Sequence, residues 1–350
     1  MNTLGTSPPM KLRLALIGQG NEWQTRHSPA LRMMQDRFEV RAVYHSVSAL
    51  AEPMAREFRA EAMEGYRRML GRDDIDAVMI LESDWYGAAP FLAACESGKA
   101  IYCGSDVEFG EEDAALVKAR VEESGVAFMT ELPRRYAPAT LRLKELIATR
   151  LGKPKLLFCH RRLTCENGRM TRSLRSLETR SHRELMELVD WCTYIVSDPP
   201  TWVQAVQHMP STSEATSDYQ VLSLGFSDAS SPHPPILAQI SCGAYMPAAW
   251  HEAIAYRPPA AIQVCCEKGL AFVDLPSTLV WFDDAGRHQE SLDTELPVGQ
   301  QLLTQFHRVV TSLVRKQNGG IGDMLQAFSV LRSAHKSMET GQRQSLALEP

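Results

Sequence analysis

The stretch Leu12–Leu31, LRLALIGQGNEWQTRHSPAL, limits the possible folds more than any other part of the chain. Its apolar start, Leu12, Leu14, Ala15, Leu16 and Ile17, is too short for a globular helix and suits a strand buried on both faces of a parallel sheet. Gly18-Gln19-Gly20 breaks the run. There Gly18 permits a tight turn, and Gly20 lets the backbone approach a ligand. Free amides at the following helix start can hold a pyrophosphate. A G-x-G pair alone is a weak signal, and the third glycine position is Trp23. Its place between an apolar strand and a helix strengthens it.

The 350 residues suit two domains with a core each. A net charge of −5 excludes a basic excess, so neither nucleic acid nor an anionic membrane is expected as a partner. No apolar run approaches bilayer length. Residues 1–10, MNTLGTSPPM, lack the charged start and apolar centre of a signal peptide and read as a flexible leader on a cytoplasmic protein. The eight cysteines (Cys95, Cys103, Cys159, Cys165, Cys192, Cys242, Cys265 and Cys266) show no C-x-x-C spacing and read as buried, reduced thiols. His160 and His182 have no second ligand at metal spacing, so no metal site is expected.

Between residues 11 and 133, Phe38–Tyr44, Asp76–Leu81, Ala100–Cys103 and Val126–Thr130 read as further strands. They alternate with helical segments at Asn21–His27, Pro53–Arg59, Ala88–Ser97 and Glu111–Ser124. This is the pattern of a doubly wound parallel sheet, a Rossmann domain. In such a domain an acidic residue at the end of the second strand bonds the adenosine ribose. Here His45-Ser46 stands in that place, with no carboxylate to repel a 2′-phosphate, so NADP is expected to bind at least as well as NAD.

Residues 134–350 read as an α+β domain with a large mixed or mostly antiparallel sheet. Strands are expected at Lys155–Leu163, Thr201–Gln207, Tyr219–Phe226, Ile236–Ala244, Ala261–Cys266, Leu270–Leu275 and Thr278–Phe282. Helices are expected at Arg134–Leu151, Ser181–Tyr194, Gln301–Arg315 and Asp323–Thr340, with Trp191 and Trp202 in the core. From Arg161 to Arg183 seven arginines face only Glu166 and Glu178. They read either as a roof over an anionic ligand, held by bidentate guanidinium forks, or as the solvated face that charge runs ordinarily form.

Several segments occur in an order that resembles the Gfo/Idh/MocA family of sugar and cyclitol oxidoreductases. The G-x-G is followed by His27, Ala30 and Leu31, and CESGKAIYC is similar to the family's A-x-x-x-G-K-h-V-x-C. Arg135-Tyr136-Ala137-Pro138 matches its R-[FY]-x-P. VCCEKGLAFVD and SAHKSMETGQR resemble its central strand pair and closing helix.

The resemblance implies an NAD(P)-dependent oxidoreductase acting on a sugar-like or acidic sugar-derived substrate, as a homodimer or homotetramer. It places the cofactor, NADP or NAD, against Gly18, Gly20, Asn21, Glu22, Trp23, His45, Ser46, Glu82, Ser83 and Ser105.

The catalytic positions depart from the family pattern. Gly104-Ser105-Asp106 replaces the family's Glu-Lys-Pro, putting Ser105 at the lysine position. Glu82-Ser83-Asp84 replaces Thr-Pro-Asn, with Gly87 at a histidine place. Of the D-x-G-x-H-x-x-D motif only Asp190 matches; Arg183, Leu185 and Glu187 occupy its other positions. Glu187, Asp106 and His182, beside Asp190, are therefore the candidate acid/base groups, and Arg135, Arg180 and Arg183 the candidate substrate ligands. With Glu22, Glu82, Asp84 and Asp106 in one crevice and no lysine to offset them, the cofactor is expected to bind weakly or not at all. The rival reading is a catalytically silent relative acting as a ligand sensor or regulatory subunit. A third is lyase or isomerase chemistry without net oxidation.

Overall fold

The computed structural model describes residues 10–83, 86–105, 107, 110–165, 173–208, 219–226, 235–247, 249–250, 252–253, 256–293, 295–312 and 320–346, with the side chains of 111, 165 and 173–180 left aside. The chain forms two compact units. One comprises Met1–Pro133 and Leu296–Asp323, the other Arg134–Glu295 and Met324–Pro350.

The first unit alternates strand and helix: β1 (Leu12–Ile17), α1 (Ser28–Met33), β2 (Phe38–Tyr44), α2 (Ser48–Phe58), β3 (Glu61–Ala62), α3 (Tyr66–Leu70), β4 (Ala77–Ile80), α4 (Ala89–Glu96), β5 (Ala100–Cys103), α5 (Glu111–Ser124) and β6 (Phe128–Thr130). The strands pair in the order β3-β2-β1-β4-β5-β6, every pair parallel. β4 and β5 are buried along their whole length, as helices on both faces of a parallel sheet require. The order reverses between β1 and β4, and ligands of open α/β sheets bind at the carboxyl ends of strands flanking such a crossover.

Two expectations are corrected here. The helix read at Asn21–His27 is a π-turn, Trp23–His27, that runs into α1. Glu22 O accepts from both Arg26 N (2.8 Å) and His27 N (3.2 Å), and Pro29 has no amide to continue the α ladder, so the turn widens. The expectation that everything beyond residue 134 belongs to the second domain also fails. Helix Val298–Thr311 lies with the first unit, where Leu302, Leu303 and Phe306 are buried. Phe306 meets Tyr102 of β5 edge-on at 5.4 Å. Gly299 lies so close to the carbonyl of Arg26 that a Cβ there would stand 2.6 Å from its oxygen.

The second unit begins with α6 (Pro138–Leu146) and contains β7 (Pro154–Cys165), α7 (Ser173–Val196), β8 (Trp202–His208), β9 (Tyr219–Gly225), β10 (Leu237–Pro247), β11 (Ile262–Cys266), β12 (Leu270–Asp274), β13 (Thr278–Asp283), β14 (Gly286–Ser291) and β15 (Gln344–Ser345). These nine strands form one sheet, ordered β14-β13-β12-β11-β7-β10-β9-β8-β15. All its pairs are antiparallel except β7 with β10. Trp191 is fully buried, its indole N–H donating to Thr140 Oγ1 at 3.0 Å. Trp202 is only half-buried, under the Arg343 guanidinium at 4.9 Å.

The single helix expected over Arg134–Leu151 is shorter. It starts at Pro138, whose fixed φ suits a first helical turn, and ends in a π-turn at Ile147–Leu151 before Gly152 (φ +75°). Strand β14, GRHQES, has no apolar alternation to reveal it. It is formed by pairing with β13 across the turn in which Asp283 Oδ1 accepts from Ala285 N at 2.9 Å.

The β11–β12 connection depends on Gly269, where a Cβ would lie 2.4 Å from the carbonyl oxygen of Phe282 and 2.6 Å from Leu151 Cδ2. A backbone carbonyl cannot rotate aside as a flexible side chain does. Gly269→Ala is therefore expected to destabilise the protein by about 1–3 kcal/mol, the usual cost of overpacking. A urea midpoint indistinguishable from wild type would contradict this contact.

Candidate functional site

In the first unit the carboxyl ends of β1 and β4 nearly touch. Gly18 (φ +73°) and Gly20 (φ +66°) are both left-handed. A Cβ on Gly18 would lie 2.6 Å from Glu82 Cβ, so no other residue fits between the strand ends. Gly18 N donates to Tyr44 O at 3.0 Å, tying the turn to the end of β2. This turn, at the crossover of the sheet, fits a dinucleotide.

The residues expected around it fare differently. Trp23 is corrected: its side chain is 1 % exposed and packs edge-on against Phe58 at 5.8 Å, a core contact in place of a cofactor contact. Glu22 accepts from Thr25 Oγ1 (2.7 Å) and stands 3.6 Å from Arg26, so it is neutralised locally. Ser83 is buried, its carbonyl accepting the amides of Tyr86 and Gly87. Asn21 and Ser46 are exposed. Asp84 and Asp106 lie outside the described residues. Glu82 Oε2 accepts from Gln19 N at 3.3 Å and lies 3.7 Å from His45 Nε2.

At the ends of β5 and β6 is a group that sequence reasoning missed. Glu131 directly follows β6 and is 1 % exposed. Its carboxylate accepts from Arg26 Nη1 (2.5 Å), from Ser105 N (3.1 Å) and bonds His27 Nε2 (3.0 Å). Burial by itself would raise its pKa, but His27 and Arg26 outweigh burial and pull it down from 4.5 to about 2. Arg26, 19 % exposed, is thus a cation in the region where the lost lysine suggested none. Ser105 is buried, and its backbone contributes a bond to the cluster. Gly104 also has its reason: a Cβ there would meet Leu81 Cα at 2.9 Å.

The acid/base candidates of the second unit are largely engaged. Glu184, Glu187 and Asp190 share a face of α7 by their spacing of three. Asp190 is buried in a bidentate pair with Arg135, whose Nε donates at 2.8 Å and whose Nη2 donates to the second oxygen. Glu187 pairs with Arg134 Nε at 3.2 Å, and Glu184 bonds Arg134 and, at 3.1 Å, Arg161. Arg135 as a substrate ligand and Asp190 as a base are therefore corrected: each saturates the other. Arg162 donates to the carbonyl of Tyr256, and Arg183 is half-buried on α7. The side chain of Arg180 lies outside the described residues. His182 is exposed overall, yet its ring stacks on Phe328 at 6.2 Å, and burial of that face, with His335 nearby, lowers its pKa.

Among the described residues no group of three His, Cys, Asp or Glu side chains is placed to hold a metal ion, and no helix is long and apolar enough to cross a membrane.

A six-stranded parallel sheet with a glycine turn at its crossover defines a dinucleotide-binding domain. Residues 12–132 match GFO_IDH_MocA, the oxidoreductase family with an NAD-binding Rossmann fold. Over residues 12–132 the chain thus resembles the NAD-binding Rossmann domain of the Gfo/Idh/MocA oxidoreductases. Inositol 2-dehydrogenase 3 of Saccharopolyspora erythraea is 29% identical over 158 residues, 44% of this chain and 46% of that protein. D-xylose 1-dehydrogenase (NADP(+)) 2 of Haloferax volcanii is 30% identical over 120 residues, 33% of this chain and 35% of that protein. The matched regions thus span less than half of these relatives. The fold matches a levoglucosan dehydrogenase solved with NADH and levoglucosan, with a TM-score of 0.80 at 15% identity, over 97% of this chain and all of that one.

The Glu131 cluster makes an acid-stability prediction. An unfolded glutamate protonates near 4.5, whereas the folded one stays ionised to about 2. Its stabilising contribution is therefore complete above 4.5 and is lost as pH falls toward 2. Glu131→Gln is expected to cost about 1.5–3 kcal/mol at neutral pH, the usual worth of hydrogen bonds to charged groups, with Glu22 still beside Arg26, and to flatten the fall of the urea midpoint across that window. Equal acid sensitivity in both proteins would refute this role.

Proposed function

We propose that the protein is an NAD(P)-dependent oxidoreductase that moves a hydride between the nicotinamide and a hydroxyl-bearing carbon of a sugar-like substrate. The observation that carries this reading is the left-handed Gly18-Gln19-Gly20 turn at the β1–β4 crossover, in a segment, residues 12–132, that matches the family model. The relatives named as inositol and xylose dehydrogenases support a polyol or sugar as substrate and favour an enzyme over a silent relative. When bound, the cofactor supplies the hydride acceptor.

Oxidation of a hydroxyl also needs a group that takes its proton. Ser105 cannot do so alone, and Glu187 and Asp190 are bonded to arginines. We assign the role to His182, an exposed imidazole on α7 whose ring stacks on Phe328 at 6.2 Å and which is of the side-chain type best suited to take a proton near neutral pH.

Nicotinamide absorbance with a panel of cyclitols, aldoses and sugar acids tests both parts. Turnover is expected with at least one member, and His182→Asn is expected to lower kcat by about 10²–10⁴-fold with dinucleotide affinity unchanged. Full turnover in that variant would move the role to Asp106. No turnover with any member, while dinucleotide binds, would overturn the enzymatic reading.

A further inference from the structure

The position at the end of β2 that would read the adenosine ribose is filled by His45, but a carboxylate reaches the same corner from another strand. Glu82 follows β4, and its Oε2 lies 3.7 Å from His45 Nε2 while accepting from Gln19 N in the glycine turn at 3.3 Å. It therefore bridges the turn and the end of β2, the two places between which a dinucleotide fold binds the ribose. The side chain is 29 % exposed, so its remaining lone pairs are open to a ligand.

His45 does not cancel this charge. The ring is 7 % exposed, and its Nδ1 accepts from Val47 N at 2.9 Å. A nitrogen accepting an amide proton carries none of its own, so the ring holds its proton on Nε2, toward Glu82. The Nε2 edge of the histidine therefore faces the carboxylate at 3.7 Å, beyond hydrogen-bond distance, and leaves its lone pairs unclaimed. One guanidinium on α3, Arg67, lies over the Tyr66 ring at 5.8 Å and pairs with Glu96 at 3.8 Å, so it is already matched to a carboxylate.

We infer that Glu82 takes over the ribose-reading role vacated at the end of β2 and makes this protein discriminate against a 2′-phosphate, preferring NAD to NADP. This rests on the dinucleotide reading above and reverses the expectation drawn from His45-Ser46. A carboxylate accepts the 2′- and 3′-hydroxyls of NAD as hydrogen-bond donors. Against the 2′-phosphate of NADP it meets like charge with no donor to accept, which rejects that ligand more than it favours the other.

Titration calorimetry with NADH and NADPH on the whole protein tests this without reference to turnover. Wild type is expected to bind NADH about tenfold or more tightly than NADPH. In Glu82→Gln, which keeps an acceptor for Gln19 N, the ratio is expected to collapse toward unity, mainly through tighter NADPH binding. The wild-type ratio needs no variant, so the inference is testable even if the substitution disturbs folding. Equal or tighter NADPH binding by wild type, or a ratio unchanged in a folded Glu82→Gln, would overturn the inference alone. Failure to bind either dinucleotide would overturn the dinucleotide reading and the inference with it.

Discussion

A carboxylate removed from water is stable only if charge and hydrogen bonds replace what the solvent supplied. Glu131 meets this condition by drawing together the π-turn after β1, the Ser105 backbone after β5 and its own position after β6. Much of the first unit's carboxyl edge follows from that requirement. The wide turn at Trp23–His27 brings Arg26 and His27 to the same carboxylate, Gly299 admits helix Val298–Thr311 against Arg26, and Phe306 closes over Tyr102.

The same cluster changes the meaning of the lost lysine. Counting residues along the chain suggested a crevice of carboxylates with nothing to offset them. In the folded protein Glu22 and Glu131 share Arg26, and Glu82 faces the imidazole edge of His45. The second unit repeats the arrangement: the acidic face of α7 is met by Arg134, Arg135 and Arg161. Charges that looked available for ligands are largely paired within each unit. The imidazole of His182 lies outside these ion pairs, stacked on Phe328.

The elements legible in the sequence are those whose apolar pattern is set by burial on both faces or by strict alternation. β1, β2, β4 and β5 of the first unit, and β9 to β13 of the second, fall where apolar runs and turn residues place them. What escaped was polar or locally ambiguous. β14 has no apolar residue to mark it, and the π-turn differs from an α-turn only in the wider bonds from His27 N to Glu22 O and from Ser28 N to Trp23 O. Helix Val298–Thr311 was recognisable as a helix. Its membership of the first unit was not, because a buried stripe does not say which core it enters.

The sequence by itself determined the parallel alternation and the glycine turn, because these rest on local chemistry: strand length, chain reversal and the freedom of glycine at positive φ. Pairings between distant residues needed the tertiary structure. Glu131 with Arg26 and His27, Asp190 with Arg135, and Glu82 with Gln19 and His45 join positions more than twenty residues apart. Whether a carboxylate is a base, a counterion or a ligand group depends on what lies within about 4 Å of its oxygens. Chain order does not contain that distance; the crossing of strands does.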